Sequence, residues 1–414
     1  MRTVKPINKT NIITNEELAV HGGKPAAPKM ILFGEPKIGE EEIEEVVATL
    51  RSGWIGTGPK TKEFENRFAD YVGVRHAVAV SSCTGALHLS LFVSGIGPGD
   101  EVITTPLTFT ATVNAIMHVG ATPVFVDVDP ETFNLDPERV EAKITPRTKA
   151  ILPVHFGGLS NDMNALTTIA RKHKLIVIED AAHAVGGVYD GKKIGSSGNL
   201  TCFSFYANKN LTTAEGGMIT LNDAGLKKKL EMLRLHGMEV DAWKRYKVTR
   251  LIHSRVIYPG FKYNLTDFQS SLGLHQLKKL EAFLTIRERY AAMYDEAFRE
   301  LFGLRFQFRP TDLRNNRHAL HLYVILLDLE NLSVSRDEFV YALRMENIGA
   351  AIHYTALHME PYYQKTFNLG AGNLPVAEWI SERTLTLPLS PALSEDDIHN
   401  VIRGFKKVYT CFRR

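Results

Sequence analysis

The chain has 414 residues, 44% of them hydrophobic and 23% charged, with a formal net charge of +3. This is the composition of an ordinary globular protein, long enough for two or three units at about 100–200 residues each. So small a charge excludes the strongly basic character of a nucleic-acid or membrane-surface protein, and is compatible with an anionic small molecule.

Cys83, Cys202 and Cys411 lie far apart and form no C-x-x-C pair, which argues against a disulfide framework or a zinc site and for a reducing compartment. The N-terminal residues lack the apolar stretch of about 7–15 residues that marks a signal peptide, and no run of about 18 apolar residues occurs, so a soluble, cytoplasmic protein is expected. Residues 1–30 show no sustained period and read as an N-terminal arm.

From 31 to 270, short β-branched runs alternate with helical patterns. HAVAV (76–80), EVITT (101–105), TPVFVDV (122–128), KAILPVH (149–155), LIVIED (175–180), LTCFSF (200–205) and GMITL (217–221) predict strands. TGALHLSLFVSGI (84–96) and MNALTTIARKHK (163–174), the latter fronted by Asp162, predict helices. The alternation predicts an α/β fold with a mostly parallel seven-stranded sheet flanked by helices, and ligands at the carboxyl ends of its strands. Residues 271–414, with a long helical stretch followed by a strand in HLYVILLDL (321–329), predict a smaller α+β domain.

Several motifs lead nowhere. GGVYDGKK (186–193) has a lysine where a phosphate-binding loop needs Ser or Thr for magnesium, and an Asp190–Gly191 hairpin turn explains it better. GTG (56–58) lacks the third glycine of a dinucleotide site, and the fifteen histidines show no metal-ligand spacing, so no metal is expected.

Three other segments match the needs of one cofactor. In VAVSSCTGALHLSL (78–91), a strand runs through small polar residues into a helix, whose N-terminus can hold a phosphate dianion through Ser82, Thr84 and the amides of Cys83–Gly85. Ordinary N-capping is the alternative there. In LIVIEDAAHAVGG (175–187), Glu179–Asp180 ends an apolar strand, where a buried carboxylate needs a cationic partner such as a protonated pyridine nitrogen, a helix cap or an ordinary ion pair. In LTCFSFYANKNLTTAEGGMITL (200–221), Lys209 follows a strand end and can reach a carbonyl to form a Schiff base, with Ser204 as a further phosphate hydroxyl.

These segments, in this order, resemble the DegT/DnrJ/EryC1/StrS sugar aminotransferases, a branch of fold-type I pyridoxal-phosphate enzymes. The resemblance runs over nearly all of 30–405 through SGWIGTGP (52–59), SSCTGALH (81–88), GATPVFVDVD (120–129), IEDAAHAVG (178–186), FSFYANKNLTTAEGG (203–217), GFKYNLTDFQ (260–269) and LPLSP (387–391). RLHGMEVDAWKRY and YPGFKYNLTD are similar to members that aminate a UDP-4-keto-pentose.

The resemblance implies pyridoxal 5′-phosphate as cofactor and Lys209 as both Schiff-base lysine and proton shuttle. It implies Asp180 on the pyridine nitrogen, Phe109 on the ring face, and Cys83 backbone, Thr84 and Ser204 on the phosphate. His183 falls near the ring and O3′, where many relatives carry Gln. Asn264 is implied to reach a phosphate across a homodimer interface, giving two shared sites. Many members read Y-N-Y-R where this chain has Phe261-Lys262-Tyr263-Asn264, so Lys262 is either a substrate ligand or a surface lysine. A ping-pong transfer from an amino acid, glutamate first, to a nucleotide-linked keto-sugar at C4 is the implied reaction. For the substrate diphosphate, Arg234, Lys244, Arg245, Lys247, Arg250, Arg255, Lys262 and His353 are candidates. Amination at C3, another keto-sugar or cyclitol, a cofactor-free regulator and a sugar dehydratase are the alternatives; dehydrating members carry His where this chain has Lys209.

Overall fold

A computed structural model describes residues 17–239, 254–312 and 314–414. All seven predicted strands join one sheet. In chain order these are β1 (His76–Val80), β2 (Glu101–Thr104), β3 (Thr122–Phe125), β4 (Thr148–Leu152) and β5 (Ile176–Asp180), then, after a small hairpin of β6 (Val188–Tyr189) and β7 (Lys192–Lys193), β8 (Leu200–Ser204) and β9 (Gly217–Leu221). The spatial order is β1-β9-β8-β5-β4-β2-β3, and only β9 runs antiparallel to its neighbours. Inside the sheet, β8 and β9 are buried along their length, as a sheet covered on both faces requires.

Local chemistry explains where the strands stop. β3 ends at Phe125, short of the predicted 128, because Asp127 leaves the ladder and its carboxylate accepts from Val376 N and Ala377 N at 3.0 and 2.8 Å, capping the helix Pro375–Arg383. The 186–193 segment is the expected hairpin: Asp190 and Gly191 both have positive φ, 49° and 74°.

Helices α2 (Pro59–Val72), α3 (Cys83–Val93) and α4 (Thr110–His118) cover the sheet with Met163–His173, which Asp162 caps as expected, while α1 (Glu40–Arg51) packs on the helix Asp267–Phe298. Pro59 opens α2, where its missing N–H costs nothing. The α2 N-terminus is held by Asp267, whose carboxylate accepts from Gly58 N, Lys60 N and Thr61 N at 2.7, 3.1 and 2.9 Å. On this face Phe64, Phe68, Phe203 and Phe205 pack edge-on and tilted with centroids 5.2–6.2 Å apart, all fully buried. Phe68→Ala is expected to cost about 3–5 kcal/mol in denaturant unfolding, as a cavity in a packed aromatic core does.

The helix Asp267–Phe298 starts in this core and finishes in another. Leu274, Leu277 and Leu284 pack with Phe64 and Phe68, while Tyr290, Tyr294 and Phe298 pack in the C-terminal core. The expected domain boundary at 270 therefore lies in the first turn of one continuous helix. Beyond it, β10 (Arg305–Phe306), β11 (Tyr323–Leu326) and β12 (Thr384–Leu387) form an antiparallel sheet against helices Arg336–Met345 and Glu395–Phe412. The described part of the N-terminal arm is pinned here. Leu18 and Ala27 enter this core, and Glu346 accepts from Ala19 N and Ala26 N at 2.8 Å each and from Lys407 Nζ at 2.9 Å. Among the described residues, no helix is long and apolar enough to cross a membrane.

Candidate active site

Four segments meet at one edge of the large sheet: the β1–α3 turn, the end of β5, the chain after β8 and the start of β9. At the first, Ser82 is extended and its Oγ accepts from Gly85 N at 3.0 Å, making it the N-cap. That bond leaves the Ser82 hydroxyl proton to donate elsewhere. Cys83 N and Thr84 N lie in the first turn, where a helix offers no acceptor and its dipole is positive. The Cys83 side chain turns inward, with Sγ 3.5 Å from the Cys202 carbonyl and 3.9 Å from Asp180 Oδ1, and burial beside that carboxylate pushes its thiol up. Its backbone, not its sulfur, faces the turn.

β9 presses against this turn. A Cβ on Gly217 would stand 2.6 Å from Ser82 C and 2.7 Å from Cys83 N, so only glycine permits the approach. Gly217→Ala is expected to cost about 1–3 kcal/mol through overpacking and to loosen cofactor retention on gel filtration.

Asp180, at the tip of β5, is buried. Its Oδ2 accepts from Thr112 Oγ1 at 2.8 Å and its Oδ1 from Ala182 N at 3.1 Å. Burial raises its carboxyl above the usual range, opposed by the Thr112 and Ala182 bonds and by Lys209. Among the described residues no ion pair neutralises it. Its neighbour Glu179 points the other way, to His155 Nε2, Ser197 and Asn199, which hold it ionised against burial.

Lys209 lies five residues past β8. Burial pushes its amine down to about 8, opposed by Cys83 and Asp180, so it is partly neutral near physiological pH. Nζ stands 3.3 Å from His321 Nε2. Ser204, at the end of β8, is buried, with Tyr206 N approaching its Oγ at 3.4 Å.

Four more rings, His183, Tyr354, Phe109 and His353, follow His321 in mutual contact. His183 is buried: its Nδ1 accepts from Gly157 N at 3.3 Å, so Nε2 carries the hydrogen toward Tyr354 OH at 3.1 Å. Burial first, then the Lys209 charge, hold this imidazole far below its usual value and neutral. Tyr354 stacks on His183 at 6.1 Å and lies 6.2 Å from Phe109. Phe109 caps α4 and leaves 60% of its surface exposed, a large aromatic face with room for a planar partner. His353 is held by Thr386 Oγ1 at 3.0 Å and lies 4.9 Å from Tyr354; burial and Lys209 push it down to about 3.

The remaining candidates fall elsewhere. Asn264 pairs with Val80 by backbone, but its side chain donates to Thr57 Oγ1 at 2.7 Å. With the exposed Lys262, Trp54 and Ile55, it lines a groove of about 350 Å³ that shares no residue with the Asp180–Lys209–His183 cluster. Arg234 is no surface ligand: it is buried, its guanidinium paired with Glu65 Oε1 at 2.5 Å and bonded to Ala79 O at 2.7 Å. Lys244, Arg245, Lys247 and Arg250 lie outside the described residues.

Sequence reasoning missed Thr112, Tyr354 and His321. Thr112 stands three positions after Phe109 on α4, and Tyr354 follows His353, so both were adjacent to residues already singled out. His321 carried no signal, since it arrives from the C-terminal unit at the mouth of β11.

The residues present fit pyridoxal phosphate. A buried, un-neutralised carboxylate, a depressed lysine, an exposed aromatic face and unpaired helix N–H groups stand together at the carboxyl edge of a doubly covered sheet. Fold and site thus define an α/β pyridoxal-phosphate aminotransferase. The chain belongs to the DegT/DnrJ/EryC1/StrS aminotransferase family, matched over residues 36–406, whose cofactor is pyridoxal 5′-phosphate. It is 50% identical over 377 residues to the spore coat polysaccharide biosynthesis protein SpsC of Bacillus subtilis, covering 91% of this chain and 96% of that protein. The PLP-form of the sugar aminotransferase Spr1654 from Streptococcus pneumoniae superimposes with a TM-score of 0.84 at 35% identity, covering 92% of this chain and 98% of that one. PseC of Helicobacter pylori, an aminotransferase involved in the biosynthesis of pseudoaminic acid, gives 0.84 at 30% identity, covering 93% and 100%.

Proposed function

We propose that the protein moves the amino group of glutamate to C4 of a keto-sugar carried on a nucleoside diphosphate, as a homodimer with two shared sites. The observation that carries the reading is Lys209, a depressed amine beside the buried Asp180 and the phosphate-binding turn. Its kinship with sugar aminotransferases supports the substrate class.

When bound, pyridoxal phosphate supplies an electron sink for the charge left by removal of a proton from carbon. The chain supplies the rest. Asp180, fixed by Thr112 and Ala182, keeps the ring nitrogen protonated and has its own burial offset by that cation. Cys83 N, Thr84 and Ser204 hold the phosphate, with Ser82 donating its hydroxyl. Neutral His183, its Nε2 hydrogen held by Tyr354 OH, lies near the ring and O3′, and Phe109 covers the ring face. Lys209 Nζ would take the proton from the donor's amine-bearing carbon and return it to the cofactor's C4′ as the donor's nitrogen stays behind, then in the second half carry a proton from C4′ to the sugar carbon; a pKa of about 8 suits both directions near neutral pH. Asn264 reaches toward the partner's phosphate, and Lys262 and His353 bind the sugar nucleotide.

The test is a panel of nucleotide-linked 3-keto and 4-keto sugars offered with glutamate, with products located by mass spectrometry and NMR. A C4-amino product supports the assignment. A C3-amino product, or amination of free sugars alone, would contradict it.

A further inference from the structure

His321 is brought to Lys209 by deliberate backbone fastening. Ala319 N donates to Gly158 O at 2.9 Å, Leu322 N donates to Gly157 O at 3.1 Å, and the Ala319 carbonyl accepts from Asn210 Nδ2 at 2.7 Å. Between these anchors the ring is 97% buried, its centroid 4.5 Å from that of His183. Its Nδ1 is buried and without a hydrogen-bond partner. Its Nε2 has one polar neighbour among the described residues, Lys209 Nζ at 3.3 Å.

An unpaired buried ring nitrogen costs about 1–3 kcal/mol, and a residue kept for packing alone would be apolar there. The position therefore selects for what Nε2 does. Burial first, then the charge of Lys209, keep the ring neutral, and with Nδ1 protonated its Nε2 is an acceptor.

We propose that His321 is a positioning residue for the transfer: its Nε2 accepts one N–H of Lys209 and so aims the lysine's lone pair at the reacting carbon. Ammonium and neutral amine both have an N–H to give, so the hold persists through the proton's arrival and departure. The bond also restrains a side chain that otherwise has four rotatable bonds. This rests on the aminotransferase reading of the same site.

The test compares His321→Gln, which keeps an acceptor at similar reach, with His321→Met, which fills similar space without one. Cofactor-free protein is mixed with pyridoxal phosphate between about pH 6.5 and 9.5, quenched with borohydride, and the label at Lys209 is timed by peptide mass spectrometry. His321→Met should capture the cofactor about tenfold more slowly and, once loaded, show kcat about tenfold lower with the KM for glutamate within about twofold; His321→Gln should recover both to within about threefold. If His321→Met does not fold by circular dichroism, His321→Asn, whose acceptor is a methylene short, should show the same defect. Wild-type rates and pH profile in His321→Met or, where that does not fold, in His321→Asn, or no recovery with Gln, would overturn the proposal. Wild-type protein that takes up no pyridoxal phosphate would instead contradict the aminotransferase reading, and this inference would fall with it.

Discussion

Lys209→Ala is expected to lower transamination by at least about 10⁴-fold, since one substitution removes both the amine that holds the cofactor and the group that moves the proton. The fold should survive. Lys209 follows β8 and contributes to no core cluster, and its loss removes a desolvated amine from the site. The check is single-turnover kinetics beside a thermal melt, with exogenous amines added in millimolar amounts. Partial recovery of the proton-transfer step by a small primary amine would show that the missing function is a base, and an unchanged melt would exclude misfolding.

Asp180→Asn should be nearly as damaging to catalysis and harmless to stability. The amide keeps an oxygen for Ala182 N and turns its NH2 to donate to Thr112 Oγ1, but it cannot hold a proton on a ring nitrogen, so a fall of about 10²–10⁴-fold in kcat is expected with the cofactor still bound. The stability sign is the opposite of an ordinary salt-bridged carboxylate. Burial raises the Asp180 pKa in the folded chain, so above the usual carboxylate range the folded state binds more protons than the unfolded one. Cofactor-free protein then loses stability as pH rises through the raised value. Asp180→Asn removes that loss, and the cofactor-free variant should melt at or above the wild-type temperature at neutral pH. Saturating wild type with pyridoxal phosphate should reverse the order, because the ring cation offsets the carboxylate's burial.

How far the sequence foretells this can be read from particular residues. The strands are legible because fully buried parallel strands are continuous apolar runs: LIVIED and GMITL match β5 and β9 to within a residue. The 122–128 strand is overestimated because Asp127 bonds to a helix 250 residues away, which no local pattern contains. Asp180 and Lys209 are legible because one ends a strand and the other follows a strand end, where a polar residue at a doubly covered sheet needs a reason. Arg234 misleads, since a cation in a basic stretch reads as a ligand until Glu65, buried on α2, is seen opposite it. His321 is invisible because its role depends on a contact across 112 residues.

The central claim is that Lys209 carries pyridoxal phosphate and passes amino groups through it. The most direct measurement is the absorption spectrum of the purified, cofactor-loaded protein before and after glutamate, with Lys209→Ala beside it. The account predicts a band at about 410–430 nm that glutamate converts to one near about 330 nm, and no such wild-type band from the variant. A protein that stays colourless after incubation with pyridoxal phosphate, or whose band ignores glutamate and every other amino acid, would contradict it.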